Sequence, residues 1–361
     1  MTDKQPAPPT AEDQLQFLNN IQRLLDEGQF TSTYKFALLM ALADLAVEQG
    51  DDTGGTLILA LDGIAEKFVQ YYWQHTLPFT PPGQSHNPVC LKQNSNGQVE
   101  IISRLIRIQT NGATSLTAAR HNSRIWNTLI RQVSTKIRKM PLNKLQTVGN
   151  DQLIFLYQPS PSENSVTLLP GVAYCLRRFH ELIISLIEGA WLRQIRRFRA
   201  NQIALGSTKD LSEFLFGSER SSLDAYRPIL RDIQNGRCFY CDGRLKDIGE
   251  VDHFIPWSRY PIDLGHNFVL AHKSCNNSKR DMLAGISHLE HWIERNSTAH
   301  DDLNEAFLAR EIYANLQSSN RITWWAYSQT EHASGNTWIS GNDIAQLDPT
   351  WRELLEPQMA I

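Results

Sequence analysis

Leucine, isoleucine and phenylalanine recur every three or four positions from residue 12 to about residue 75, the spacing of a helix with one buried face. "LQFLNNIQRLLDEG" stops at Gly28, and "FTSTYKFALLMALADLAVEQG" opens on hydroxyls and stops on a glycine. "TLILALDGIAEKFVQYYWQ" predicts a third helix with Gly63 inside it, and "PFTPPGQSHNP" reads as a loop. "QVEIISRLIRIQ" and "DQLIFLYQ" predict short strands between turn signals. From Pro170 a second amphipathic pattern runs through Val172, Leu176, Phe179, Ile183, Leu186, Ile187, Ala190, Ile195 and Phe198. It ends in "RQIRRFRAN", where Arg193 and Arg197 share a face and Arg196 and Arg199 lie beside them. Residues 206–235 read as a linker plus a helix. The segment after residue 285 is helical and acidic, and its tryptophans 324, 325, 338 and 351 are expected in a core, base stacking being the lesser alternative. The expected fold is mainly α with minor β. Its divisions are a disordered polar tail (1–11), a mostly helical N-terminal domain (12–205), a motif-bearing domain (206–285) and a helical acidic C-terminal region (286–361).

One stretch breaks these patterns. "EVDHFIPWSRY", residues 250–260, begins as an apolar strand yet places Asp252 and His253 side by side, neither of which favours a pleated surface. Adjacent strand residues face opposite ways, so acid and imidazole serve two directions. Two further pairs flank the strand, Cys238-x-x-Cys241 and His272-x-x-Cys275. Each has the spacing at which a tight turn aims both side chains at one point, and together they have the composition of a closed tetrahedral zinc site. A redox pair or buried thiols is the competing reading of the cysteines. Five cysteines in all, an odd number, do not suit a secreted disulfide framework; metal ligation in a reducing, cytoplasmic setting fits better.

Asn276 follows Cys275 at the expected start of a helix, with Ser274 near its N-cap. The zinc would tie strand to helix, letting Asp252 and Asn276 meet across a gap the size of a metal ion. Their oxygen donors suit Mg²⁺ or Mn²⁺. His253, facing away, is free to accept a proton from water near neutral pH. Lys279, one turn after Asn276, and the adjacent Arg280 are expected to hold a phosphate. Arg259 either contacts phosphate or caps a loop.

The formal net charge of −3 conceals segregation. Residues 1–60 carry a net −6, residues 286–361 a net −7, and the middle of the chain a net +10. Between Glu100 and Asp151 lie nine basic residues and no acid. Such a field suits a polyanion, and a merely solvated face is the plainer account. No apolar run approaches the roughly 18 residues that span a bilayer, and the proline-rich N-terminus lacks a signal-peptide core, so no membrane role is expected.

Taken in order, Cys238/Cys241, Asp252-His253, Asn267 and Cys275-Asn276-x-x-Lys279 resemble the HNH endonucleases, whose fold is a ββα-metal finger. The resemblance covers about residues 235–285, a seventh of the chain. It implies His253 as general base, Asp252 and Asn276 as ligands of the catalytic Mg²⁺, and Asn267 as the residue that orients the histidine loop. His272 is a departure, since zinc-bearing members usually have cysteine there. The implied activity is metal-dependent hydrolysis of DNA, in a bacterial restriction or phage-defence setting. Arg193, Arg196 and Arg197 are candidate DNA contacts. One cut per site would call for a homodimer or two visits. The alternatives are a nuclease effector held inactive by a regulatory protein partner, and a non-catalytic zinc-stapled nucleic-acid binder.

Overall fold

The computed structural model describes residues 6–80, 88–113, 115–158, 164–205, 211–217 and 223–359. It is mainly helical with four small two-stranded antiparallel sheets among the described residues, as expected from the pattern. The chain divides into two compact units, residues 1–218 and residues 219–361. No helix of the described residues is long and apolar enough to cross a membrane.

In the first unit, α1 (Ala11–Glu27) is started by Thr10, whose hydroxyl accepts from Asp13 N while the Asp13 carboxylate accepts from Thr10 N. This reciprocal cap satisfies two donors that the helix end would otherwise leave bare. Residues 1–5 of the expected tail lie outside the described residues; Pro9 and Thr10 are hydrogen-bonded to α1. The next helix, α2 (Tyr34–Gln49), is apolar almost all round and accordingly buried almost all round. Against it lie α3 (Leu61–Gln74), α8 (Val172–Arg178) and α9 (His180–Arg197). The single helix expected from Pro170 is therefore two, broken at Phe179. Both sides of the break are tied to α2: buried Arg177 donates to the carbonyls of Ala46 and Val47, and His180 pairs with Asp44.

Two predicted strands are corrected. Residues 100–110 form helix α4 (Glu100–Thr110), which buries Ile101, Ile102 and Leu105. β-branched content suggested a strand, but burial against neighbouring helices outweighs that weak preference. "DQLIFLYQ" forms a strand only at β3 (Asp151–Gln152), opposite β2 (Thr147–Val148), with one further antiparallel bridge from Tyr157 to Leu168. Beyond it one buried side chain serves much of the backbone: Gln146 accepts from Phe155 N and Leu156 N and donates to Tyr157 O, while Leu156 O accepts from Leu169 N. The third predicted helix is also shorter than expected, because its first residues form β1 (Leu57–Ala60) against β4 (Ser165–Leu168). The acid-free stretch is carried by α4, α5 (Leu116–His121), α6 (Ser123–Lys139) and α7 (Pro141–Lys144). Of the loop at 78–88, residues 81–87 lie outside the described residues, as do 206–210 and 218–222 of the expected linker. Helix α10 (Arg199–Leu205) comes just before the first of those linker gaps, and α11 (Leu211–Phe216) lies between the two.

The second unit opens with α12 (Arg227–Ile233) and holds β5 (Glu250–His253), β6 (Phe268–Ala271) and α13 (Lys273–Lys279). It continues through α14 (Ile286–Thr298), α15 (His300–Ala309), α16 (Leu316–His332), β7 (Asn336–Ser340), β8 (Asp343–Gln346) and α17 (Trp351–Leu355). Trp325, Trp338 and Trp351 are core residues as expected, joined by Trp292; Trp324 is half-buried with its ring 5.0 Å from that of Trp351. The helices after residue 285 thus share a core with the finger. Arg295 of α14 makes that dependence specific. Its buried guanidinium donates to the carbonyls of His266 and Phe268, holding the segment that feeds β6. Burial pulls its pKa down to about 9, and those carbonyl contacts offset the cost of desolvating the cation.

Candidate active site

β5 and β6 pair antiparallel, Glu250 opposite Ala271 and His253 opposite Phe268. β6 is fully buried, whereas β5 buries only Val251. That asymmetry leaves the polar residues of β5 at the edge of the core. Behind the sheet, Gln234 clasps both backbone groups of Leu270 at 2.8 Å each.

Before β5 the chain makes a tight knuckle. Cys238 N donates to Gly243 O and Asp242 N to Cys238 O, with Asp242 in the left-handed region at φ 55°. A side chain at Gly243 would press on both His272 and Cys241, at 3.2 and 3.4 Å. The result is convergence: one donor atom from each of Cys238, Cys241, His272 and Cys275 lies within 4.8 Å of the other three. Three sulfurs and an imidazole nitrogen are a donor set suited to structural zinc. His272 presents Nδ1 to Cys241 Sγ at 3.3 Å, and its Nε2 lies 3.1 Å from Arg244 O. A proton on Nε2 would leave Nδ1 as the ligand atom. His272, not Ser274, is the N-cap of α13, so one zinc donor also starts the helix.

α13 lies across β5. Asn276 Nδ2 donates to Glu250 Oε2 at 3.0 Å, and Asp252 Oδ2 accepts from Tyr240 at 2.6 Å and lies 3.1 Å from Lys279 Nζ. Lys279 also donates to the His253 carbonyl at 2.9 Å. These bonds leave Asp252 Oδ1, Glu250 Oε1 and Asn276 Oδ1 without hydrogen bonds among the described residues. Uncommitted carboxylate and amide oxygens suit a hard divalent cation. Glu250 was not among the residues singled out from the sequence. Its signal was there: it stands two positions before Asp252, hence on the same strand face.

Lys279 is corrected. It was expected on a surface that holds phosphate, but its side chain is fully buried and engaged by Asp252. Burial and the Asp252 carboxylate likewise drive the Tyr240 hydroxyl well above its ordinary pKa, so it stays a donor. Arg280, the left-handed residue that ends α13, is exposed, and Arg259 is half-buried in the turn after Pro256. Asn267 is buried and clasps Ile255, accepting from its N at 2.8 Å and donating to its O at 3.0 Å. This fixes the backbone two residues beyond His253.

His253 is held by Phe268 and Trp257, their ring centroids 4.5 and 5.3 Å away, and by Asp263, whose Oδ1 is 2.9 Å from Nε2. In the other unit, Arg193, Arg196 and Arg197 are exposed on the last turns of α9, and two of them, Arg193 and Arg197, line a cavity of about 210 Å³ with Asp26 and Phe30.

Residues 238–282, which contain the knuckle, both strands and α13, match the family model for HNH endonuclease. Residues 14–215, more than half of the chain, match the model described as domain of unknown function (DUF8808), and the chain belongs to that family. Searches of curated proteins and of solved structures found no match. The second unit thus carries an HNH-type nuclease domain, and a domain of that type implies nucleic-acid binding.

Proposed function

We propose that the protein is a metal-dependent endonuclease that hydrolyses DNA phosphodiester bonds, with His253 as general base and Mg²⁺ or Mn²⁺ held by Asp252 and Asn276, assisted by Glu250. The observation that carries the reading is the set of three oxygens on Glu250, Asp252 and Asn276 that have no hydrogen bonds among the described residues, two of them on the strand that carries His253. A zinc staple alone would have no use for them. Bound there, a divalent ion would polarise the scissile phosphate and offset charge on the leaving oxygen. The chain's own groups do the rest. Tyr240 and Lys279 grip one oxygen of Asp252 and so aim the other. Asn276 is steered by its bond to Glu250. Asn267 sets the backbone that follows His253, and His253 accepts the proton of the attacking water.

The test is nicking of a supercoiled plasmid in Mg²⁺. His253→Ala should slow it by about 10²–10⁴ while leaving the fold intact by circular dichroism. Nicking by this variant at the wild-type rate would falsify the assignment. One site cuts one strand, so full breaks should accumulate only after nicks, or with two chains acting together. For the biological role we favour restriction or phage defence. Plaque counts on cells expressing wild type or His253→Ala, equal in number, would sink that part alone.

A further inference from the structure

We infer that Asp263 is a positioning residue for His253, fixing which imidazole nitrogen meets the attacking water. The inference rests on the nuclease reading above and adds to it a residue that the motif did not point to.

Asp263 lies in the connection between β5 and β6, ten residues after His253, where Leu264 is buried and Gly265 N donates to Tyr313 O. That anchoring brings Asp263 Oδ1 to 2.9 Å from His253 Nε2. A carboxylate only accepts, so this bond requires a proton on Nε2. Nδ1 is then the basic nitrogen, and among the described residues no protein group bonds it. The ring cannot swing to exchange its nitrogens freely, since Phe268 and Trp257 pack against it. Side-chain exposures of 15% for His253 and 25% for Asp263 keep the pair partly shielded from solvent while leaving the imidazole an opening.

The step balances simply. Water oxygen forms a bond to phosphorus as one of its protons passes to His253 Nδ1. The bond from phosphorus to the leaving oxygen breaks, and that oxygen takes a proton from solvent. His253 becomes an imidazolium protonated on both nitrogens, and Asp263 faces the positive charge as it forms. The carboxylate thus selects the tautomer beforehand and stabilises the cation during the step. Asp263 itself touches neither water nor phosphate.

Asp263→Ala and Asp263→Asn are compared in the full chain, with single-turnover plasmid nicking in Mg²⁺ and nitrogen NMR of labelled histidine. The alanine variant should lose about 10- to 100-fold in the nicking rate, the scale for a lost partner that orients a histidine. Its KM should not change, and its His253 should show a mixture of tautomers. The asparagine variant removes the charge and can turn its amide NH₂ toward Nε2, a donor where wild type has only an acceptor, so it should shift His253 towards the Nδ1–H tautomer and nick no faster than alanine. A wild-type rate in the alanine variant, or a wild-type tautomer in it, overturns the positioning role. So does an asparagine variant that nicks at the wild-type rate with its His253 protonated on Nδ1. His253→Ala measured alongside separates the two readings: if it nicks normally, the general-base assignment has failed, whatever Asp263 does. If it is inactive while Asp263→Ala nicks normally, only the positioning role has failed.

Discussion

Single side chains in this protein are committed to one task by what surrounds them. Lys279 looks from the sequence like a phosphate contact, three residues beyond Asn276 in a helix. Folding removes it from water and sets its ammonium on Asp252, whose side chain is only 11% exposed. Removing one partner of such a pair strands the other charge and typically costs about 3–5 kcal/mol. Lys279→Met should therefore lower the melting temperature markedly and abolish nicking through loss of the Asp252 setting. If Lys279 instead held DNA, the variant would melt as wild type and bind DNA more weakly; melting curves beside binding curves decide. His75 shows burial acting on a titration. It is buried, its Nε2 bonds the Leu215 carbonyl at 2.9 Å, and burial pulls its pKa from 6.5 down to about 4. The unfolded chain then binds more protons than the folded one between those values. Stability from this group is complete above pH 6.5 and is lost as pH falls towards 4, a loss of about 3 kcal/mol. His75→Gln should flatten that part of the stability–pH curve, measured by denaturant unfolding from pH 7 to 4.5. An unchanged slope would show that other groups carry the acid response.

At the scale of elements, the finger is a two-stranded sheet and a helix of seven residues, neither of which is stable by itself in water. Two different supports hold it. The knuckle and the N-cap of α13 carry the four converging side chains suited to zinc, whereas β6 is clasped by Gln234 and by Arg295 from the following helix. Zinc loss should therefore release the knuckle and the start of α13 while the core around Trp292, Trp325 and Trp351 persists. Purified protein should contain one zinc per chain. Chelation, or Cys241→Ser with Cys275→Ser, should raise hydrogen exchange over residues 236–245 and 272–276 and stop nicking, with tryptophan fluorescence little altered. Protein free of zinc, or exchange unmoved by chelation, would refute the staple.

At the scale of the whole molecule, a finger this small makes few contacts with a duplex, so grip has to come from elsewhere on the chain. Glu100 neutralises part of the basic middle through Arg104 and Lys136, but Arg107, Arg124, Arg131, Lys139 and Lys144 are exposed, as are Arg193, Arg196 and Arg197. We expect these to bind backbone phosphate without regard to sequence. Replacing Arg193, Arg196 and Arg197 together with glutamine should weaken DNA binding and shrink the slope of log affinity against log salt by up to about 3, since each phosphate neutralised releases close to one counterion. The competing view, in which these arginines serve protein contacts, predicts an unchanged slope and a lower melting temperature. A salt titration with melting curves tells them apart.

The convergence of Cys238, Cys241, His272 and Cys275 was legible in the sequence because metal chemistry demands particular side chains at short, fixed spacings, and the same reasoning singled out Asp252, His253, Asn267 and Asn276 as the candidate site. The helical class was legible because burying one face imposes a period. Glu250 and Asp263 were not singled out, since an acid in a strand or loop acquires meaning only from what folds against it. For the same reason Lys279 and Arg280 looked alike in the sequence, although one is buried on Asp252 and the other is exposed at a helix end. Helix α4 and the Gln146 clasp were decided by packing, where burial against neighbouring helices and one buried amide outweighed local preference. Local chemistry is written in order along the chain; which polar group ends up facing which is settled only when the core closes.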